Sequence, residues 1–487
     1  MLGRWTAAVA VAMAVGAPST GGAQESGRDR PLQTPAERLG FQAFTPPEDV
    51  FPYLTALAES SGGLEVDTLV VLNAGADARV PIPVVRIPVA SAIGESPAIR
   101  VLVLGSQHGT ERAGLEVGLL LIRDLVDGEL GHLRRTLDVR VIPMTNPLGV
   151  DRRTRGAAGG VDLNRDHVAL AAAETRAIWA EVDEWRPHLV LDLHELGPTE
   201  YTVQVGVPTH PNVDPDLATF ARFYMLPQVA NQLARADIWF HEYVAVWEDE
   251  DDEVEAYYTP APLEAANARN AFALAGAASF LVETASSRDV LGLAQRTEQM
   301  YVATRAFLEA AVLLAVELER VSGQASALAA DPLSIEARYA ADASGTELPW
   351  VKLNERGLRV RTRLRPWRAV VEVAARLEPP EGWMIDATGA ELVDVLAAHG
   401  FRVERLNASA TRTVQAYPVC PEATGDSALA RPEKRTFPAG SWWIPADQLG
   451  ARLLFTIVEP WSVDGWFADR VDDECARDPY PVYRVPA

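Results

Sequence analysis

Eight histidines are spread over 487 residues, and two of them stand where residue type and spacing suit chemistry. His108 and Glu111 form a His-x-x-Glu pair directly after the apolar run Ile99 to Leu104. At that spacing an imidazole nitrogen and a carboxylate can converge on one ion. His194 arrives from a second apolar run, Leu189 to Leu193. Two histidines, a glutamate and a water make up the donor set of a catalytic zinc. The ordinary alternatives are a loop histidine at 108 and a histidine satisfied at a strand end at 194. Their joint placement at strand ends favours a metal.

Stepping along the chain, Ile99 to Leu104 reads as a buried parallel strand, and residues 111–127 show helical spacing with Leu115, Leu119, Ile122 and Val126 on one side. Val139 to Met144 predicts a second strand, residues 171–184 a second helix, Leu189 to Leu193 a third strand and Ser279 to Val282 a fourth. A long helix is predicted from about 294 to 319. Strands alternating with helices predict an α/β domain with a largely parallel sheet and helices on both faces. The predicted strands end in polar residues: Ser106 to Glu111, Thr145-Asn146, His194-Glu195 and Glu283-Thr284. Carboxyl ends of parallel strands line the ligand crevice of such a sheet, so these ends converge on one site.

Positive charge is concentrated between Asp151-Arg152-Arg153-Thr154-Arg155 and Asp162-Leu163-Asn164-Arg165. An arginine beside a polarised carbonyl stabilises an oxyanion, and an Asn-Arg pair grips a carboxylate. The ordinary alternative is an Arg-rich surface loop, since lysine occurs only at Lys352 and Lys434. Glu248 to Glu253 is an acidic run, read first as a solvated loop, with a calcium site or a screen favouring basic substrates as the sharper readings. Glu195, Asp166, His167 and His241 are candidates to orient ligands or to serve as structural hydrogen-bonding groups.

In this order, His108-x-x-Glu111, Asn146-Pro147-x-Gly149, Arg152-x-Thr154-Arg155, Asn164-Arg165, Asp192-Leu193-His194 and Glu283 resemble the M14 zinc metallocarboxypeptidases, with the succinylglutamate desuccinylase and aspartoacylase group as relatives. The resemblance covers roughly residues 40–320. It implies the mixed, largely parallel sheet of a zinc carboxypeptidase and one zinc per chain held by His108, Glu111 and His194. It further implies that Arg152 polarises the scissile carbonyl, that Asn164 and Arg165 hold the terminal carboxylate, and that Glu283 is the general base. A family tyrosine matches Tyr257 or Tyr258. The resemblance implies hydrolysis of the C-terminal peptide bond of a peptide with a free carboxylate. The 83 positions from Glu111 to His194 are closer to the deacylase relatives, which keeps open an amidase or deacylase acting on N-acyl amino acids or cell-wall peptides. A non-catalytic binding protein on the same fold is the third reading.

Arg4, the small apolar run Ala7 to Ala17 and Pro18 to Ala23 have the order of a secretory signal cleaved near Ala23, which predicts a secreted or periplasmic protein. The apolar run is about half the ~20 residues a membrane-spanning helix needs. A net charge of −23 argues against nucleic-acid partners. Residues 24–330 are expected to form the catalytic domain and 331–487 a smaller α+β or β-rich module, with its tryptophans serving packing. Within that module Glu391 to His399 predicts a helix and Phe401 to Glu404 a strand. Cys420 and Cys475 are candidates for one disulfide.

Overall fold

The computed structural model describes residues 31–73, 79–90, 98–197, 202–247, 257–285, 292–325, 331–341, 343–353, 359–417, 432–462, 465–466 and 480–487. The N-terminal segment 1–23, the acidic run 248–253 and both cysteines lie outside the described residues.

The strands of the first half are β1 (Glu65–Asn73), β2 (Arg79–Ile87), β3 (Ile99–Gly105), β4 (Leu137–Ile142), β5 (Leu189–Leu196), β6 (Val203–Gly206), β7 (Phe240–Glu242), β8 (Val244–Trp247), β9 (Tyr257–Pro260) and β10 (Ala278–Ala285). Its helices are α1 (Pro35–Arg38), α2 (Pro47–Ser61), α3 (Ala113–Asp127), α4 (Pro147–Arg152), α5 (Ala173–Trp185), α6 (Pro215–Thr219), α7 (Leu226–Arg235), α8 (Ala268–Leu274), α9 (Leu293–Leu313) and α10 (Ala315–Ala325). Eight of the strands form one mixed sheet in the order β1-β2-β4-β3-β5-β10-β6-β7. Its centre, β4-β3-β5-β10, is parallel. β1, β2 and β6 join antiparallel, and β7 runs parallel to β6.

The central strands read as unbroken apolar runs because helices cover them on both faces, and β10 is buried along its whole length. The helices α3 and α9 pack together on one face; α5 and α8 meet on the other, where Trp179 and Phe272 approach to 5.1 Å. The single helix expected over 294–319 is two, with Leu314 out of helical geometry between α9 and α10.

The remaining strands are β11 (Leu333–Ala340), β12 (Glu347–Leu353), β13 (Arg359–Pro366), β14 (Val370–Leu377), β15 (Gly382–Ile385), β16 (Glu404–Arg405), β17 (Ala410–Ala416), β18 (Glu433–Phe437), β19 (Trp442–Pro445) and β20 (Val482–Val485), with helices α11 (Ala390–Ala398) and α12 (Ala451–Val458). Six of these strands form a second, antiparallel sheet, β16-β19-β15-β20-β17-β18, built only from residues after 381. α11 packs on α5 and α12 on α8, and one hydrophobic core runs through both halves.

The chain after α11 differs from the strand expected at Phe401 to Glu404. Gly400 takes φ +82°, and the amides of Gly400 and Phe401 turn back to Ala397 O and Leu396 O, closing a Schellman motif. Only glycine fits, since a Cβ here would lie 2.0 Å from Asp183 Cγ on α5. Phe401 is thereby spent on the core, and strand pairing starts at Glu404. The same turn seats His399, whose Nε2 lies 3.0 Å from His167 O beside the site.

Candidate metal centre

β3 leads into a loop, residues 106–112, that delivers His108 and Glu111 before α3 begins. The turn opens with Ser106 at φ +52°, a left-handed conformation costly for a non-glycine residue, and the Ser106 hydroxyl secures it by donating to Glu111 O at 3.1 Å. Asn146 accepts the Gly149 N–H at the start of α4 and donates to Gln107 O at 3.0 Å, so the second strand-end asparagine ties loops together. On β5, His194 is the register neighbour of Glu283 on β10, which puts the two side chains on one face of adjacent parallel strands.

Three donor atoms converge. His108 Nδ1 lies 2.9 Å from Glu111 Oε1, His194 Nδ1 lies 2.8 Å from Glu111 Oε2, and the two Nδ1 atoms are 3.0 Å apart. On the far side of each ring, His108 Nε2 is 2.9 Å from Asp162 Oδ1 and His194 Nε2 is 2.8 Å from Asp192 Oδ2. Asp162 accepts the His108 Nε2 proton, so a neutral His108 presents a lone pair at Nδ1, while Asp192 Oδ2 faces His194 Nε2 as an ion-pair neighbour beside the Asn164 amide. The two Nδ1 atoms and the Glu111 carboxylate crowd together, an arrangement that a cation or a proton resolves. Burial favours a neutral His194, but Asp192 and Glu111 outweigh it and hold its pKa well above the usual value. Burial likewise opposes charge on Glu111, and hydrogen bonds with His108 and His194 prevail, holding its carboxyl far below the usual range. Two histidines and a carboxylate with open space beside them fit a divalent cation of the zinc type.

The adjoining cavity, of about 310 Å³, is lined by these three residues together with Arg155, Asn164, Arg165, Tyr243, Arg269 and Glu283, among others. Burial is the main force pushing the Glu283 carboxyl up to about 8, and the neighbouring Glu111 and Asp192 charges add to it. Tyr243 is held well above the usual phenol range, first by the Glu283 charge and then by burial, and its N–H is fixed to Val205 O at 2.8 Å.

Several positions expected from sequence fall elsewhere. Arg152 is the exposed last residue of α4 and does not line the cavity. Arg153 ends the helix in a left-handed turn, Thr154 N–H returns to Gly149 O, and the chain brings Arg155 back beside Glu111 and Asp162. Arg155 Nη1 lies 3.3 Å from Glu111 Oε1 and its Nε 2.9 Å from Asp162 Oδ2. Tyr257 stacks on Trp247 under Arg368, and Tyr258 is buried against Val244, Leu348 and Trp367. The pairing of β8 with β9 commits both to packing, and Tyr243 is the tyrosine in the cavity wall. Asn164 lines the cavity with its Oδ1 accepting Ala268 N–H at 2.8 Å and its Nδ2 3.2 Å from His194 Nε2; Arg165 is exposed at the rim.

Among the four candidates for orienting ligands, His167 and Glu195 adjoin the centre. Gln107 bridges His167 to Asp192, with contacts of 3.0 and 2.7 Å, and Glu195 N–H donates to Glu111 Oε2 at 3.1 Å. Asp166 instead caps the approach to α5 through Ala171 and Ala172, and His241 sits on β7 with Nδ1 2.5 Å from Glu242 O. Asp192 was legible by its period: two residues before His194 on one strand, it must share that face.

The zinc carboxypeptidase family (Peptidase M14) matches residues 59–195, a stretch that contains all three converging residues. Carboxypeptidase 2 of Trichophyton rubrum is 24% identical over 441 residues, covering 83% of this chain and 80% of its own length. Carboxypeptidase 2 of Trichophyton tonsurans is 24% identical over 429 residues, covering 80% and 77%. Among solved structures, carboxypeptidase A from Helicoverpa armigera aligns with a TM-score of 0.44 at 19% identity, covering 57% of this chain and 75% of that one. A metallo-carboxypeptidase from Pseudomonas aeruginosa aligns at 0.40 and 19% identity, covering 56% and 69%. The loop and strand that carry His108, Glu111 and His194 thus fall within the stretch that matches the zinc carboxypeptidase family.

Proposed function

We propose that the protein is a secreted or periplasmic zinc-dependent carboxypeptidase that removes the C-terminal residue of peptides. The observation that carries this reading is the convergence of His108, Glu111 and His194 on one point, with Glu283 beside them and the guanidinium groups of Arg155 and Arg165 in the same cavity. The export signal read in residues 1–23 supports the location. Among the described residues no helix is long and apolar enough to cross a membrane.

Zinc held by the three ligands would polarise a water and the scissile carbonyl and lower the pKa of that water towards about 7. Glu283 takes the proton of the attacking water and returns it to the leaving amine. Its buried setting favours holding the proton between those two transfers. Arg155, rather than Arg152, presents a guanidinium to the oxygen where negative charge develops. Arg165 at the rim binds the terminal carboxylate, with Asn164 shaping the wall beside it. Fixing that carboxylate would bring the last peptide bond beside His108, Glu111 and His194 and restrict cleavage to the chain end. Residues 331–487 act as an accessory module buttressing the α5 and α8 side of the catalytic domain.

The test is product profiling on a mixed peptide library. The expected result is release of C-terminal residues by protein carrying about one zinc per chain, abolished by chelator and restored by zinc. Release of acyl groups from N-acyl amino acids without trimming of peptides would overturn it in favour of a deacylase, and zinc binding without hydrolysis in favour of a binding protein.

A further inference from the structure

Arg269, the second residue of α8, is 3% exposed and lines the metal cavity together with Tyr243, Pro262, Asn267 and Leu281. Its hydrogen bonds run from Nη2 to two neutral acceptors, Pro262 O at 2.7 Å and Thr209 Oγ1 at 3.2 Å. Its Nε is buried with no hydrogen-bond partner, and among the described residues no carboxylate forms an ion pair with the guanidinium. An arginine keeps its proton, so this is a buried positive charge without a counter-ion, an expensive arrangement. Burial is also the main influence pulling its pKa down, and the nearby Arg165 charge pulls the same way. Glu264 acts on it through space without touching it.

The fold makes room for this charge. A Cβ at Gly206 on β6 would lie 3.3 Å from Arg269 Cδ, 3.5 Å from its Nη1 and 3.2 Å from Leu281 Cβ. Asn164 and Asn267 fix the first turn of α8 by accepting the Ala268 and Asn270 amides at 2.8 and 3.0 Å. The other arginines near the cavity have occupations: Arg155 is paired with Asp162, Arg296 with Glu195, and Arg165 stands at the rim for the terminal carboxylate.

We propose that Arg269 is a specificity residue that receives a carboxylate on the side chain of the substrate's last residue, making the site selective for peptides ending in glutamate or aspartate. This rests on the carboxypeptidase reading above. A dianionic terminal residue gives each of two guanidinium groups a carboxylate, the backbone one at Arg165 and the side-chain one at Arg269. A charge-assisted hydrogen bond inside a buried pocket discriminates strongly against the uncharged isostere, because that ligand leaves the buried donor unpaired.

The experiment compares zinc-loaded protein on peptides identical except for a terminal Glu, Gln, Leu or Lys. The expected result is kcat/KM at least about tenfold higher for Glu than for Gln, with the ratio falling below about twofold in Arg269→Gln while the Gln and Leu peptides are still cleaved. Arg269→Lys, which keeps the charge, should retain part of the preference. Equal rates for Glu and Gln in the wild-type protein, or an unchanged ratio in Arg269→Gln, overturn the proposal. The wild-type ratio decides the matter even where the glutamine variant fails to fold. Should no peptide be trimmed, the carboxypeptidase reading itself fails. Calorimetry of free L-glutamate against L-glutamine on the chelator-treated protein then tests Arg269 separately: about tenfold tighter glutamate supports the charge pocket, and equal binding overturns it.

Discussion

Asp192 Oδ2 lies 2.8 Å from His194 Nε2, on the edge of the ring that faces away from Glu111. Asp192 is fully buried; its other oxygen accepts from Gln107 at 2.7 Å, Gln107 contacts His167 at 3.0 Å, and Trp179 Nε1 donates to His167 Nδ1 at 3.2 Å. The chain of contacts holds the Asp192 carboxylate beside the His194 ring, whose Nδ1 turns towards His108 and Glu111. Asp192→Asn keeps the shape and loses the charge, so zinc affinity should fall about tenfold to a hundredfold. Competition against a chelator of known affinity measures this, and an unchanged zinc affinity would sink the assignment of Asp192 as a positioning residue.

In the proposed mechanism Glu283 moves a proton and does not bind the cation, since it sits one strand over from His194 and outside the converging trio. Glu283→Gln should therefore retain about one zinc per chain while losing at least about a hundredfold in kcat. Zinc analysis and steady-state kinetics on the same preparation check both halves. Zinc loss would make Glu283 a ligand, and retained activity would remove it from the mechanism.

Arg152 and Arg155 separate an order read from sequence from a position reached in space. Arg155→Ala should lower kcat by about a hundredfold or more, the scale of losing one donor to a developing oxyanion. Arg152→Ala, an exposed substitution at the end of α4, should change kcat/KM by less than about threefold. The reverse ranking would return the role to Arg152.

Those arginines show where sequence reading stops. The strands ending at Gly105, Ile142, Leu196 and Ala285 were legible because central parallel strands, covered on both faces, are continuous apolar runs. His108 and Glu111 were legible because their spacing is local. Which arginine of three reaches the cavity depends on a left-handed turn at Arg153, which no periodicity announces. Tyr243 was missed for a similar reason: it is a lone residue between the short strands β7 and β8, while Tyr257 and Tyr258, matched to a family tyrosine ahead of Glu283, lie on a strand that the fold uses for packing. The unpaired charge of Arg269 was equally hidden, since the absence of a partner is a property of the folded neighbourhood and not of any motif.

His188 gives the protein an acid sensitivity away from the metal. Its Nδ1 accepts the Arg100 amide at 3.1 Å and its Nε2 lies 2.9 Å from Arg100 Nη2, so burial first and the Arg100 charge second bring its pKa down to about 4. The folded state then refuses a proton that the unfolded chain accepts near pH 6.5. The stabilisation is complete above pH 6.5 and is lost as the pH falls towards 4, by up to about 2 to 3 kcal/mol. Buried Glu116 and Glu195, both raised to about 7, act in the opposite sense, favouring the folded state as the pH drops from 7 towards 4.5. The clean measurement is therefore a difference: urea unfolding of wild-type protein and His188→Gln at pH 7.5, 5.5 and 4.5. The wild-type advantage should shrink steadily towards pH 4.5, because only the wild-type chain binds the extra proton on unfolding. An advantage that stays constant across the three values would show that the Arg100 contacts do not hold His188 neutral.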